Sequence, residues 1–207
     1  MIEVRHPDVI DVVARALAED IGPGDVTTEA CVPADARARG VFLAREAQVV
    51  AGVELLELIY EMRGGVEELS LEKRSGDSAS PGDTLARVRG PARTLLTCER
   101  TALNFLQRLG GIATIAAQFV SRVAGTRCQV LDTRKTTPGL RRLEKSAAAA
   151  GGVTNHRMGL YDAVLIKNNH IAAARGVRAA IERARSSALP LEIEVRTPEE
   201  IAAALQA

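Results

Sequence analysis

The amino-acid sequence predicts a mixed fold, in which an N-terminal α+β domain with antiparallel strands is followed by an α/β domain with a parallel sheet. In the first half of the chain, closely spaced glycines and prolines separate short apolar runs, which is typical of antiparallel strands. In the second half, apolar strands alternate with helices at a spacing of roughly 30 residues, which is the pattern of βαβ units in a parallel sheet. We therefore predict two domains, at residues 1–110 and 111–207.

The N-terminal elements follow from apolar periodicity and from breakers. We predict a helix at 7–20, strands within 38–53, a short helix at 54–62, short antiparallel strands within 64–90 and a long helical region at 92–123. The long region is expected to be interrupted at the Gly110-Gly111 pair. Asp25 and Thr27 are expected to fix a turn after the first helix.

The C-terminal elements alternate in type. We predict strands at 129–131, 163–166 and 191–195, and helices at 140–150, 172–187 and 199–206. A Gly151-Gly152 pair ends the first of these helices, and Pro198 suits the first turn of the last one. Ligands bind at the carboxyl ends of parallel strands, so the residues after each strand are the candidates for a site.

Positive charge is concentrated in one stretch of a nearly neutral protein, whose net charge is +1. Between Asp132 and His170 the sequence holds seven Lys or Arg residues, at 134, 135, 141, 142, 145, 157 and 167. A local cluster of cations on a neutral chain favours a site for a small polyanion over a nucleic-acid surface. Aromatic residues make up only 2% of the chain, so stacking platforms for single-stranded nucleic acid are scarce.

The three cysteines are odd in number and widely spaced, which argues against a disulfide framework and favours a reducing, cytoplasmic location. They are interpreted as buried apolar residues. The N-terminus lacks the apolar segment of a signal peptide. No apolar run approaches the roughly 20 residues of a membrane span.

Four charged residues stand at or near predicted strand ends: Arg134, Lys135, Lys167 and Glu194. Arginine offers a planar fork for carboxylates and lysine a point charge for phosphate, so together they suit two anionic substrates. Glu194 has three open roles: accepting hydrogen bonds from ribose hydroxyls, binding Mg²⁺, or stabilising a developing sugar cation.

Several long motifs identify a family. The central ones are Asp132-Thr133-Arg134-Lys135-Thr136-Thr137-Pro138-Gly139-Leu140, Asn155-His156-Arg157-Met158-Gly159-Leu160 and Ile166-Lys167-Asn168-Asn169-His170. Supporting runs are residues 19–27 and 99–105. In these motifs the chain closely resembles the quinolinate phosphoribosyltransferase family along essentially its whole length.

The resemblance implies transfer of a phosphoribosyl group from phosphoribosyl pyrophosphate to quinolinate with decarboxylation, in de novo NAD biosynthesis. It implies Mg²⁺ with the phosphoribosyl donor, possible contact of Glu194 with that ion, and no organic cofactor. It also implies a homodimer, with Arg100 donated across the interface, and no nucleic-acid or membrane partner. The implied substrate-binding residues are Arg100, Thr133, Arg134, Lys135, His156, Arg157, Lys167 and Glu194, of which Lys135, Lys167 and Glu194 are the candidate catalytic residues.

The resemblance also implies a sandwich-like N-terminal α+β domain and a C-terminal domain of the α/β-barrel type in a longer protein, so the barrel domain is expected to be incomplete and the chain to be C-terminally truncated. Two alternatives follow: a catalytically inactive fragment that dimerises or binds dicarboxylates, and a related molybdenum-transport accessory protein. Among neighbouring residues, Arg141, Arg142 and Lys145 are predicted to form a solvated helix face. His170 is expected to cap a loop, and Asp132 to orient Arg134 or its turn.

Overall fold

The structure, a computed structural model, describes residues 2–207. It forms two compact units, one ending at His156 and the other spanning Arg157–Ala207. The units divide at a different place from the predicted domain boundary after residue 110, which stays a prediction. No helix among the described residues is long and apolar enough to cross a membrane.

The first unit is an α+β structure. Its elements are α1 (Pro7–Ile21), α2 (Val26–Cys31), β1 (Arg37–Leu43), β2 (Gln48–Val49), α3 (Leu55–Glu61), β3 (Glu68–Leu71), β4 (Ser78–Ala79), β5 (Thr84–Pro91), α4 (Ala92–Arg122) and α5 (Arg141–Ala150). Three strands form an antiparallel sheet in the order β1-β5-β3, and β2 pairs with β4. The predicted antiparallel strands and the helix at 7–20 are confirmed.

The helix α1 begins where the sequence indicates, because His6 accepts a hydrogen bond from the Asp8 amide and Pro7 occupies the first helical position. Its apolar face is buried in the core of the unit, to which α3, α4 and the sheet also contribute. The helix α2 was not predicted. Asp25 caps it by accepting a hydrogen bond from the Thr28 amide, so Thr27 lies inside a short helix and not in a turn.

The predicted interruption of α4 is wrong, because the helix continues through Gly110 and Gly111. A Cβ atom on Gly110 would lie 2.8 Å from Oε1 of Gln48, so glycine allows β2 to pack closely on the helix. Thr114 strengthens this contact, since its hydroxyl donates to the Gly110 carbonyl at 2.7 Å and accepts from the Val49 amide at 2.9 Å. The glycine therefore serves packing rather than breaking the helix.

The second unit has an α/β pattern. Its elements are β6 (Val164–Ile166), α6 (Asn168–Ala174), α7 (Val177–Ala184), a 3₁₀ turn (Arg185–Ser187), β7 (Leu191–Ile193) and α8 (Pro198–Leu205). The strands β6 and β7 pair in parallel, as predicted. The single helix predicted at 172–187 is wrong: Arg175, at φ 64°, and Gly176, at φ 138°, divide it into α6 and α7.

The strand predicted at 129–131 is reduced to one residue, since Leu131 makes an isolated parallel bridge to Thr154. The fold class is confirmed, with an α+β region followed by an α/β region. The interpretation of the cysteines as buried is correct only for Cys98, because Cys31 and Cys128 are exposed.

Candidate active site

The first part of the candidate site lies in the first unit, where the segment after Leu131 runs beside the segment after Thr154. The Thr154 amide donates to the Val130 carbonyl at 2.9 Å, and the Asp132 amide donates to the Thr154 carbonyl at 3.2 Å. This short parallel pairing places the beginning of the Asp132–Leu140 motif next to Asn155 and His156. Two motifs that are separated in sequence are therefore neighbours in space.

Asp132 is the centre of this junction. Its Oδ1 accepts from the Lys145 ammonium and from the His156 amide at 2.8 Å, and its Oδ2 accepts from Nδ2 of Asn155 at 2.6 Å. Asn155 also donates to the backbone carbonyl of Lys145 at 3.0 Å. Of the two roles predicted for Asp132, orienting Arg134 itself has no contact behind it among the described residues, whereas the bonds to Lys145, Asn155 and His156 agree with orienting the turn.

Lys145 overturns the predicted solvated face, since its side chain is only 2% exposed. The other two residues of that predicted face, Arg141 and Arg142, are half-buried, and the side chain of each makes a polar contact. Arg142 contacts Asp8 at 3.3 Å, and Arg141 donates to Oγ1 of Thr136 at 3.1 Å. A buried charge is tolerated only when it has a partner of opposite charge, and for Lys145 that partner is Asp132.

The turn from residue 133 to residue 137 carries three of the predicted substrate-binding residues, Thr133, Arg134 and Lys135. The Lys135 amide donates to Oγ1 of Thr133 at 3.1 Å, and the Thr136 amide donates to the Arg134 carbonyl at 3.0 Å. Thr133 and Lys135 are exposed, and Arg134 is half-buried. The backbone of the turn is therefore fixed locally while the Lys135 side chain faces solvent.

Glu144 of α5 holds the end of this turn. Its Oε2 accepts from the Thr137 amide at 3.0 Å, and its Oε1 accepts from Nη2 of Arg108 at 2.6 Å. Burial by itself would raise the pKa of Glu144, but the hydrogen bonds from Arg108 and Thr137 outweigh it and leave that pKa below its usual value. The carboxylate is therefore ionised at neutral pH.

Two arginines have a buried Nε–H without a hydrogen-bond partner in the described structure: Arg134 in the first unit and Arg157 in the second. Such unsatisfied donors are uncommon and cost free energy, and functional sites are one of the places where they occur. Both residues belong to the predicted set of carboxylate-binding groups. Their role in binding carboxylates stays a prediction.

In the second unit, Arg157 begins a tight loop. Its Nη1 donates to the Ala163 carbonyl at 3.0 Å, while Asp162 accepts from the amides of Met158 and Gly159 at 2.6 and 3.0 Å. These backbone hydrogen bonds, first that from Gly159, lower the pKa of Asp162. Asp162 therefore shapes the loop that orients the Arg157 guanidinium.

Lys167 and Glu194 meet at the carboxyl ends of β6 and β7, as the sequence predicts. The Glu194 amide donates to the Ile166 carbonyl at 2.9 Å, which continues the strand pairing by one step. Nζ of Lys167 lies 2.7 Å from Oε1 of Glu194. Both side chains are about half exposed, so this ion pair adds little stability.

His170 stabilises the start of α6 by accepting a hydrogen bond at Nδ1 from the Lys167 amide at 2.9 Å. The cap predicted for it is confirmed. This bond also fixes the backbone of Lys167.

Arg100 is exposed on α4 in the first unit. It lines a groove together with Val41, Leu43 and Ile115, three apolar side chains that are each at least 45% exposed. The predicted residues Arg100, Thr133, Arg134, Lys135 and His156 thus belong to the first unit, and Arg157, Lys167 and Glu194 to the second. Sequence reasoning missed the supporting contacts of Arg108, Glu144, Lys145 and Asn155, since a partner distant in sequence leaves no periodic signal.

Within the described residues, no cluster of three or more His, Cys, Asp or Glu side chains is suited to an all-protein metal site. Mg²⁺ often needs only one or two carboxylates when substrate phosphates supply its other ligands. Glu194, half exposed at a strand end beside Lys167, fits that limited role.

An α+β region is followed by a parallel strand pair, and a lysine and a glutamate stand at the carboxyl ends of its strands, where ligands bind in parallel sheets. Comparison with known proteins identifies the family of the chain. The chain matches the N-terminal domain of quinolinate phosphoribosyl transferase over residues 25–110 and the C-terminal domain over residues 112–207. The chain therefore belongs to the quinolinate phosphoribosyltransferase family.

Three relatives show the extent of the similarity. The Mycobacterium leprae nicotinate-nucleotide pyrophosphorylase (carboxylating) is 44% identical over 200 residues, covering 94% of this chain and 70% of the relative. The chloroplastic Arabidopsis thaliana enzyme of the same name is 40% identical, with 97% of this chain and 60% of the relative covered. The crystal structure of NadC from Streptococcus pyogenes superimposes with a TM-score of 0.89 at 39% identity, covering 95% of this chain and 70% of that one.

Proposed function

We propose that this protein transfers the phosphoribosyl group of phosphoribosyl pyrophosphate to quinolinate and releases pyrophosphate and CO₂, giving nicotinate mononucleotide. The observation that carries this proposal is the pair of buried guanidinium Nε–H groups without protein partners, Arg134 and Arg157, both in motifs of the family. Quinolinate has two carboxylates, and arginine forks match carboxylate geometry.

The side chains suggest a division of roles. Arg134, His156 and Arg157 bind the two carboxylates of quinolinate, and Thr133 contacts the same substrate. Lys135 and Lys167 contact carboxylate or phosphate oxygens, and Glu194 faces the ribose. Mg²⁺, when bound with the donor, would neutralise the pyrophosphate, with Glu194 as its one protein carboxylate.

The chemistry then needs mainly positioning and charge stabilisation. The bond between C1 of the ribose and the pyrophosphate oxygen breaks, and the quinolinate nitrogen forms the new bond to C1. The ring becomes a positively charged pyridinium. When the carboxylate next to the nitrogen leaves as CO₂, its bonding electron pair stays on the ring carbon, which then takes a proton. The positive ring stabilises that carbanion, so no covalent enzyme intermediate is required.

Quinolinate binding tests the proposal directly. We expect Arg134→Ala to weaken quinolinate binding by about 2–3 kcal/mol, because a charge-assisted contact in a half-buried position is lost. Isothermal titration calorimetry of the wild type and the variant measures this change, and circular dichroism checks that the fold is retained.

Arg87→Ala is the matched control, since Arg87 is an exposed arginine in β5, outside the candidate site. Its affinity for quinolinate should equal that of the wild type. Unchanged binding in Arg134→Ala would remove Arg134 from the site. Absence of quinolinate binding by the wild type would contradict the proposed function.

A second candidate is a protein that binds dicarboxylates without catalysing the transfer. It would use the same two buried arginines, Arg134 and Arg157, for the carboxylates. Calorimetry with phosphoribosyl pyrophosphate and Mg²⁺ separates the two candidates. Binding of quinolinate alone supports the second, whereas binding of both substrates and formation of nicotinate mononucleotide support the first.

The groove beside Arg100 is proposed to receive a second copy of the chain, with Arg100 reaching the partner's quinolinate. Three exposed apolar side chains, Val41, Leu43 and Ile115, line that groove together with the cation. The groove is also lined by the charged residues Arg45, Glu46 and Glu99, and exposed apolar side chains among charged ones are typical of an interface between subunits. The cytoplasmic location also remains a proposal, based on the unpaired cysteines of the sequence.

Val41→Glu should shift the protein from dimer to monomer, because it places a charge among the apolar groups of the groove. A loss of at least about 1.4 kcal/mol, or tenfold in the dissociation constant, is expected. Analytical ultracentrifugation measures this constant. Val26→Glu is the control, since Val26 is 77% exposed and does not line the groove. Equal dissociation constants for the two variants would exclude the groove as the interface.

A further inference from the structure

Two consecutive charged residues of α5, Glu144 and Lys145, are buried beside the turn that presents Arg134 and Lys135. We infer that they are positioning residues, which fix the two ends of this turn so that its cations are in place before quinolinate arrives. The inference rests on the proposed function only for the identity of the ligand.

Lys145 fixes the beginning of the turn. Its ammonium binds Oδ1 of Asp132, the residue directly before Thr133. The same carboxylate accepts from the His156 amide at 2.8 Å and from Asn155 at 2.6 Å. A single buried ion pair therefore sets the start of the turn and the backbone of the neighbouring His156 together.

Glu144 fixes the end of the turn. Its Oε2 accepts from the Thr137 amide at 3.0 Å, and its Oε1 holds Arg108, which also donates to Oγ1 of Thr137 at 2.7 Å. The amide and the hydroxyl of Thr137 are thus each engaged by a charged partner. Charge-assisted hydrogen bonds of this kind are roughly twice as strong as neutral ones.

The region between the two anchors is short. Only Thr133, Arg134, Lys135 and Thr136 separate Asp132 from Thr137, and Arg141 of α5 adds a bond to Thr136 at 3.1 Å. A segment held at both ends has little freedom left to lose when a ligand binds, which favours affinity. Buried ion pairs are weak stabilisers compared with apolar packing, so this arrangement is better explained by geometric specificity.

The test uses Glu144→Gln, which retains the size of the side chain but removes its charge. A glutamine amide has one acceptor oxygen, so it cannot accept from Thr137 and from Arg108 on opposite oxygens. The second variant, Lys145→Met with Asp132→Asn, removes both charges of the other anchor and leaves no unpaired ion. Ser146→Ala, a neutral change at the next position of α5, is the control.

Hydrogen–deuterium exchange of the ligand-free protein measures how firmly the backbone amides of the turn are held. We expect peptides covering residues 133–140 to exchange roughly tenfold faster in both variants, as for the loss of one hydrogen bond. Peptides from α1 and α3 should exchange at the wild-type rate, and Ser146→Ala should match the wild type throughout. Wild-type exchange of the turn in both folded variants would overturn the inference.

Quinolinate titration then tests whether the position of the turn matters for binding. Both variants should bind quinolinate roughly tenfold more weakly. Faster exchange with wild-type affinity would overturn the positioning role. If the wild type itself does not bind quinolinate, the proposed function fails, and the exchange data still decide whether the two residues fix the turn.

Discussion

Lys145→Met is expected to lower the free energy of unfolding by about 3–5 kcal/mol, because it leaves the Asp132 carboxylate buried without its counter-ion. The Lys145 side chain is 2% exposed and that of Asp132 is 9% exposed, so water cannot replace the lost ammonium. Methionine is similar in length to lysine and leaves no large cavity. The expected loss therefore comes from charge and not from packing.

Urea denaturation followed by circular dichroism measures this change, with the free energy extrapolated to water. Adding Asp132→Asn to Lys145→Met should recover most of the loss, since no unpaired charge then remains. The order of stabilities should be wild type, double variant, single variant. A single variant that is as stable as the double one would show that the pair is not electrostatically coupled.

Gly151→Ala is expected to be the most damaging change that adds a single methyl group, at about 3 kcal/mol or more. A Cβ atom at this position would lie 2.3 Å from the Ala113 carbonyl oxygen and 2.6 Å from Cβ of Ala116. The first of these is backbone of α4, which cannot move without disturbing the helix. The glycine therefore allows the end of α5 to lie directly against α4.

Gly152→Ala is the comparison, because the nearest atom there is a methyl group of Val120 at 3.3 Å. Its cost should be roughly 1–2 kcal/mol, which arises mainly from the left-handed backbone at φ 90°. Thermal unfolding of both variants gives the two values under the same conditions. A smaller loss for Gly151→Ala than for Gly152→Ala would contradict the close helix contact.

Much of the fold follows from the sequence because periodicity and breakers act locally. The helix α1, the antiparallel strands after residue 64 and the parallel pairing of β6 with β7 are of this kind. The failures have non-local causes. Gly110 was expected to interrupt α4, yet its missing side chain serves contact with Gln48, a residue from a distant strand.

The candidate site likewise combines local features that the sequence predicts with non-local contacts that it does not. The placement of Lys167 at the end of a strand was predictable, since it directly follows an apolar run. Glu194 was predicted inside a strand at 191–195, and it follows β7 directly because that strand ends at Ile193. Lys145 was not predictable, because its partner Asp132 lies 13 residues earlier. From periodicity alone, a lysine close to two arginines on a helix indicates a solvated face.

The unbroken course of α4 has a consequence for how this chain can change in evolution. Arg100, proposed to serve the partner's site, and Arg108, which holds Thr137, lie eight residues apart on one helix. Inserting or deleting one residue between them would rotate Arg100 by about 100° relative to Arg108. The length of this stretch is therefore constrained by the two arginines, in addition to the constraint on the side chains that it buries in the core, Thr101, Ala102, Phe105 and Leu106.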